Sequence, residues 1–131
     1  MPFNLSSVED YIADARTLLL DRLPPFRYGD PSLIVALNLS LQETYRLRPD
    51  LFRRGHVPAY DAISSDDVPI EPQFRRAVVY GLAGHALMRD EEDVQDARAT
   101  MFLSQQEYLL TGKLARPPVQ GGTPAPGNAQ R

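Results

Sequence analysis

The chain has 131 residues, 43% of them apolar and 24% charged, with no cysteine and a net charge of −3. That composition fits one globular domain able to bury a core, and it excludes disulfide frameworks, thiolate metal sites and thiol nucleophiles. All seventeen acids precede residue 108, so residues 1–112 carry −6 while Lys113, Arg116 and Arg131 leave +3 beyond them. A body this acidic argues against tight nucleic-acid binding, which needs a clustered basic surface to displace counterions. The start "MPFNLSSVED" lacks the basic and apolar regions of a secretory leader, and no apolar run approaches the roughly 18 residues of a membrane span. Synthesis in the cytoplasm, with no membrane partner, is expected.

Taken in chain order, Ser6 followed by Glu9 has capping-box spacing, in which a hydroxyl and a carboxylate satisfy first-turn N–H groups. The stripe Val8, Tyr11, Ile12, Ala15, Leu18, Leu19, Leu23 then predicts a first helix that Pro24 and Pro25 stop. Asp30 before Pro31 reads as a cap with a proline at the first helical position. A second helix follows, with Leu33, Ile34, Leu37, Leu41, Tyr45 and Leu47 on its buried side, ending where Pro49 disfavours a helical Arg48. Pro72 opens a third helix whose apolar side is Phe74, Ala77, Val78, Gly81, Leu82 and His85. Gly81 and Gly84 each cost a helix about 1 kcal/mol against alanine, which predicts a close approach of a neighbouring element along that strip. Asp90 caps a fourth helix, with Glu91, Glu92 and Asp93 in the turn where the dipole favours anions. Its core side is expected to be Val94, Ala97, Met101, Gln105 and Tyr108, widened by Phe102 and Leu109, and Gly112 supplies a left-handed end. The remaining nineteen residues hold four prolines and three glycines, too little apolar volume for a core, and read as a tail. The expected fold is all-α: an antiparallel four-helix bundle over 1–112, with a long loop between the second and third helices and an extended tail over 113–131.

That loop, "RLRPDLFRRGHVPAYDAISSDDVPIEPQFRR", far exceeds the about 4 to 6 residues that usually join elements. Its first half carries Arg46, Arg48, Arg53 and Arg54, its second Asp61, Asp66, Asp67 and Glu71, with Tyr60 and other apolar residues between. Two readings stay open. The loop can fold back on its own bundle with its charges paired internally. Alternatively its two halves complement a second copy placed head to tail, a heterologous contact that closes into a ring when the rotation permits. On the second reading Arg46, Arg48, Arg53, Arg54, Tyr60, Asp61, Asp66, Asp67 and Glu71 form a subunit interface.

Candidate chemistry is sparse. His85 on an apolar face reads as a core histidine bonded to a tyrosine. His56 beside Arg53 and Arg54 is a poor metal ligand, and the dipole accounts for Glu91, Glu92 and Asp93. No nucleophile elbow, phosphate-binding glycine loop or dinucleotide fingerprint is present. No metal, no cofactor and no catalytic residue are expected.

Two segments carry a resemblance. "LIVALNLSLQETYRLRPDLF" resembles the second helix and its exit in the small head-to-tail connector (adaptor) proteins of tailed bacteriophages, through Leu37, Asn38, Arg48, Pro49 and Asp50. Residues 68–112 resemble that family's closing helix pair, through Tyr80, His85, Ala86, Arg89, Asp90, Ala97, Arg98 and Ala99. The chain lacks the tryptophan such relatives carry near the start of the second helix, and its middle connection is shorter. The resemblance implies a non-enzymatic virion protein of the neck, between capsid portal and tail, made in the host bacterial cytoplasm. It implies a homo-oligomeric ring, typically a dodecamer, that contacts the portal protein above and a tail or nozzle protein below while DNA passes through the lumen without specific binding. An acidic wall suits that passage, because it repels phosphates and avoids trapping them. The basic tail suits portal docking, through Lys113, Leu114, Arg116, Pro117, Pro118, Val119 and Arg131. A different class, a small intracellular protein-binding or regulatory bundle, remains the alternative.

Overall fold

The computed structural model describes residues 6–21, 23–89 and 96–112. The elements found there are helical, as the all-α class requires: α1 (Val8–Leu19), α2 (Asp30–Leu47), α3 (Arg75–Arg89) and α4 (Asp96–Thr111), with 3-10 turns at Pro49–Leu51 and Pro72–Phe74. Asp90 to Val94, expected to cap and open the fourth helix, lie outside the described residues, as does the tail from Lys113.

The capping box of α1 is shifted by one residue from the expected Ser6 and Glu9. The Ser7 hydroxyl accepts from the Asp10 N–H at 3.2 Å while the Asp10 carboxylate accepts from the Ser7 N–H at 3.4 Å. Ser6 is unavailable because its hydroxyl donates to Asp67 Oδ1 at 2.6 Å and its carbonyl accepts from the Val68 N–H at 2.8 Å. The helix also stops earlier than Pro24 would dictate. Leu20 turns left-handed at φ 58°, its N–H bonding Thr17, and the Asp21 N–H returns to the Arg16 carbonyl at 2.9 Å. This is a Schellman ending built on leucine where glycine is usual, at a left-handed cost of roughly 1–2 kcal/mol.

A buried ion pair explains why the chain turns there. Arg16 Nη1 donates to Asp21 Oδ2 at 2.9 Å and to the Tyr28 carbonyl at 2.9 Å, and Nη2 donates to Asp30 Oδ1 at 2.8 Å. The guanidinium also lies 3.9 Å from the Phe26 ring centroid. Asp21 completes the knot by accepting from the N–H groups of Arg27 and Tyr28 at 2.8 and 3.1 Å. Leu23, expected on the buried stripe, is thereby carried out to 80% exposure. Asp30 is the first residue of α2 and Gly29 its cap, so the aspartate serves Arg16 instead of the helix end.

In α2 the expected Leu33, Ile34, Leu37 and Leu41 are buried, and Ala36, Ser40 and Thr44 join them. α3 is the hub, packing against α1, α2 and α4, most extensively against α2 and α4. Its small residues make this possible. A Cβ on Gly81 would overlap the Gln106 side chain, and one on Gly84 would meet Leu103 at 2.8 Å and the Ala99 carbonyl at 3.3 Å. The close approach expected from those glycines is present.

α4 is rotated from the expected face. Ala99, Phe102, Gln106 and Leu110 are buried, whereas Met101 and Tyr108 are 56% and 39% exposed. The buried Gln106 amide donates to the hydroxyls of Ser40 at 3.2 Å and Thr44 at 3.1 Å. Ser40 donates in turn to the Val78 carbonyl at 2.8 Å, and Thr44 to the Ser40 carbonyl at 2.8 Å. One amide thus ties three helices together.

Gly81→Ala should lower stability by up to about 2 kcal/mol, an overpacking cost of roughly 1–3 kcal/mol less the roughly 1 kcal/mol helix gain of alanine. The loss should shrink when Gln106→Ala has already emptied the space. Urea unfolding of both single variants and the double variant measures this coupling, and strictly additive losses would show that the contact has no energetic weight.

Candidate functional site

The connection, expected from Arg46 to Glu71, leaves the helix only at Arg48, just before Pro49, because Arg46 and Leu47 still belong to α2. Arg48 caps the helix through its N–H to the Thr44 carbonyl at 2.7 Å. Its guanidinium grips Asp50 with two bonds of 2.9 Å and donates to the Leu110 carbonyl at 2.8 Å, tying the loop to the end of α4. Those bonds hold the Asp50 carboxyl below its ordinary value. Leu51 and Phe52 then turn into the core, with Phe52 edge-on to Tyr45 at 5.3 Å. Gly55, left-handed at φ 76°, lets the chain reverse.

The return path is stitched to the body by its own backbone. Phe52 pairs with Ile70 in an isolated antiparallel bridge, and Ser7 pairs with Asp67 in another. The Val8 and Glu9 N–H groups, which the first turn of α1 leaves without intrahelical partners, donate to the carbonyls of Asp66 and Ser64 at 2.9 and 3.0 Å. Asn38 clamps Tyr60 from both sides: its Nδ2 donates to the Tyr60 carbonyl at 2.8 Å and its Oδ1 accepts the Tyr60 N–H at 2.9 Å. The Tyr60 hydroxyl donates to the Asp67 carbonyl at 2.8 Å, and desolvation raises that phenol's pKa. Val68 and Ile70 are buried, with Val57, Tyr60 and Ile63 packed against the core.

Of the nine residues expected at a subunit interface, three meet within the chain. Arg53 pairs with Asp67 at 2.5 Å, and Tyr60 reaches the backbone of the same aspartate. Arg46 pairs with Glu43 on α2 at 2.6 Å, and Arg48 with Asp50. Arg54, Asp61, Asp66 and Glu71 are exposed. Arg46, Arg48 and Arg53 thus each have an acidic partner within the chain, and of these only the Arg53–Asp67 pair joins the two halves of the loop. The residues expected to dock the portal, Lys113 to Arg131, lie outside the described residues.

Sequence reasoning missed the structural use of Ser6 and Asn38. The signal for Asn38 was its place in mid-helix, where an asparagine is disfavoured unless its amide finds a specific partner.

His85 departs from expectation. Its Nε2 is buried without a hydrogen-bond partner among the described residues, so no tyrosine satisfies it. Burial pushes its pKa down, and the nearby Glu43 carboxylate only partly opposes this. His56 is exposed, with Nδ1 3.1 Å from the Arg54 carbonyl. Among the described residues no three His, Asp or Glu side chains gather as metal ligands, and no helix is long and apolar enough to cross a membrane. Comparison with protein-family models, curated proteins and solved structures finds no match to this chain.

Because the fold disfavours protonated His85, the unfolded chain binds that proton more readily below the ordinary pKa near 6.5. Stability should therefore fall as pH drops from 7 toward 5.5. His85→Leu removes the orphaned nitrogen and should raise stability at pH 7 by about 1 kcal/mol while flattening that part of the pH dependence. Urea midpoints at the two pH values check both effects, and an unchanged slope in the variant would show that His85 is not the group responsible.

Proposed function

We propose that this chain is a head-to-tail adaptor of a tailed bacteriophage, a non-enzymatic virion protein assembled as a ring beneath the portal and joining it to a tail or nozzle protein. On this reading the four helices form an antiparallel bundle that makes the ring body, the Arg46–Glu71 loop makes contacts between subunits, and residues 113–131 dock the portal. The observation that carries the proposal is the use made of the residues bearing the family resemblance. Leu37 is in the core, Asn38 clamps Tyr60, and Arg48 with Asp50 fixes the exit of α2 to the end of α4. The motif is a device for holding the long connection in place, the part a connector would present to its neighbours. The negative charge of residues 1–112 supports the same reading, since DNA slides past a repelling wall without being trapped.

A regulatory or protein-binding bundle is the second reading, favoured by one observation. The Arg53–Asp67 pair closes the loop's charges on themselves, which a free-standing domain needs and a ring does not.

Negative-stain images of the chain alone and mixed with its candidate portal separate the two. A ring stacked under the portal is the expected result, while isolated monomers or dimers in both samples would favour the regulator. A chain ending at Gly112 should keep its helical circular dichroism and lose portal binding; undiminished binding would remove the docking role from the tail.

A further inference from the structure

A cleft of about 380 Å³ opens between α2, α3 and α4. Its apolar lining is Leu47 and Leu103, both half-buried, and Met88, 58% exposed. Its carboxylates are Glu43 and Glu107. Arg46 donates to Glu43 at 3.0 and 2.6 Å and also feels Glu107, so two carboxylates share one guanidinium. His85 adds no compensating charge, because burial favours its neutral ring. The cleft is left with a net negative charge.

α4 contributes Thr100, Leu103, Ser104 and Glu107 to this lining. A stripe with that spacing continues to Thr111, and Gly112 follows it, left-handed at φ 75°. The chain therefore leaves α4 on the cleft's own face, at a residue that ends the helical path. The next segment, KLARPPV over residues 113–119, brings two cations, no acid, and Leu114 and Val119 as apolar side chains. Pro117 and Pro118 favour an extended backbone and carry no N–H group that needs a partner. Thr100 lies about 18 Å back along α4 from Gly112, a span that about six extended residues cover. Tethered so near Glu107, the segment acts at an effective concentration in the mM range, which a basic segment of another molecule does not match.

We propose that residues 113–119 fold back along α4 and occupy the α2–α4 cleft of their own chain, with Lys113 and Arg116 answering Glu43 and Glu107 and Val119 reaching Met88. Such docking does not depend on the adaptor reading. Under that reading the same residues serve the portal, which would have to draw them out of the cleft.

Because the chain has no cysteine, disulfide trapping in the full chain tests this. Met88 lies one turn beyond Gly84, which abuts Leu103 and Ala99, so Met88→Cys puts a thiol at the far end of the cleft and Val119→Cys puts one on the tail. The control pair is Met101→Cys with Val119→Cys, at a similar level of α4 but about 100° round the helix from Thr100. Both methionines are exposed, and circular dichroism checks that the variants fold. In oxidised glutathione at low protein concentration, the Met88 pair should close into an intramolecular disulfide at least about tenfold faster than the control pair. Salt at about 1 M, where the Debye length falls to about 3 Å, should shrink that difference, as should Glu43→Gln with Glu107→Gln. Equal rates for the two pairs would overturn the inference. Disulfide-linked dimers in place of closed monomers would give the cleft to another copy's tail and overturn the intramolecular arrangement. A preference indifferent to salt and to the glutamine substitutions would overturn the pairing of charges. The portal images judge the adaptor reading independently of these outcomes.

Discussion

The rotation of α4 about its own axis depends on one buried amide. Hydrophobic burial alone does not choose between the two faces that helix offers. One face would bury Met101 and Tyr108, the other buries Phe102 and Leu110, and at roughly 1.5–3 kcal/mol per large side chain the two choices are close to equal. Gln106 breaks the tie. Facing inward, its amide finds Ser40 and Thr44 and lies over Gly81, where the absence of a Cβ leaves room for it. An arrangement that buried it without partners would cost roughly 1–3 kcal/mol. The hydrogen bonds of Ser40 to Val78 and of Thr44 to Ser40 satisfy the hydroxyls that receive it. A polar network of this kind specifies one packing more sharply than leucine would, because its geometry is directional.

With α2, α3 and α4 fixed, α1 is tied in from both ends by charge and backbone. At its start the returning connection supplies carbonyls to Val8 and Glu9. Along its length Arg75 of α3 pairs with Asp14 at 2.5 Å. At its end Arg98 of α4 donates to the Leu18 carbonyl at 2.8 Å. The Arg16–Asp21 pair then holds the turn into α2. Two ions this buried are costly to desolvate, and they are tolerated because each finds further partners: the Tyr28 carbonyl, Asp30, and the N–H groups of Arg27 and Tyr28. Removing Arg16 would leave the Asp21 carboxylate buried without its cation, whereas Arg16 without Asp21 would still have Asp30.

Much of this was legible in the sequence, and the rest was hidden for identifiable reasons. Prolines announced the ends of α2 and the start of α3, and paired glycines announced a close helix approach. The buried side of α2 followed from its period. The phase of α4 did not, because Gln106 carries no hydrophobic signal and Met101 with Tyr108 mimics a core stripe. The α1 cap slipped by one residue because Ser6 is committed to Asp67, sixty-one positions away, a contact that local spacing does not reveal. Leu23 was assigned to the core because periodicity continues through it, while the chain had already turned at Leu20. For the loop, composition allowed internal and external pairing equally, and only the fold brings Arg53 to Asp67.

The rigidity of the α1–α2 turn also bears on how strongly a small surface can act. A patch built from Leu20, Leu23 and Phe26 is modest, and a mobile loop of that size would lose much of its binding energy to ordering. Here the Arg16–Asp21 pair has already fixed the backbone in the isolated chain, so a contact made there would order little beyond the leucine side chains.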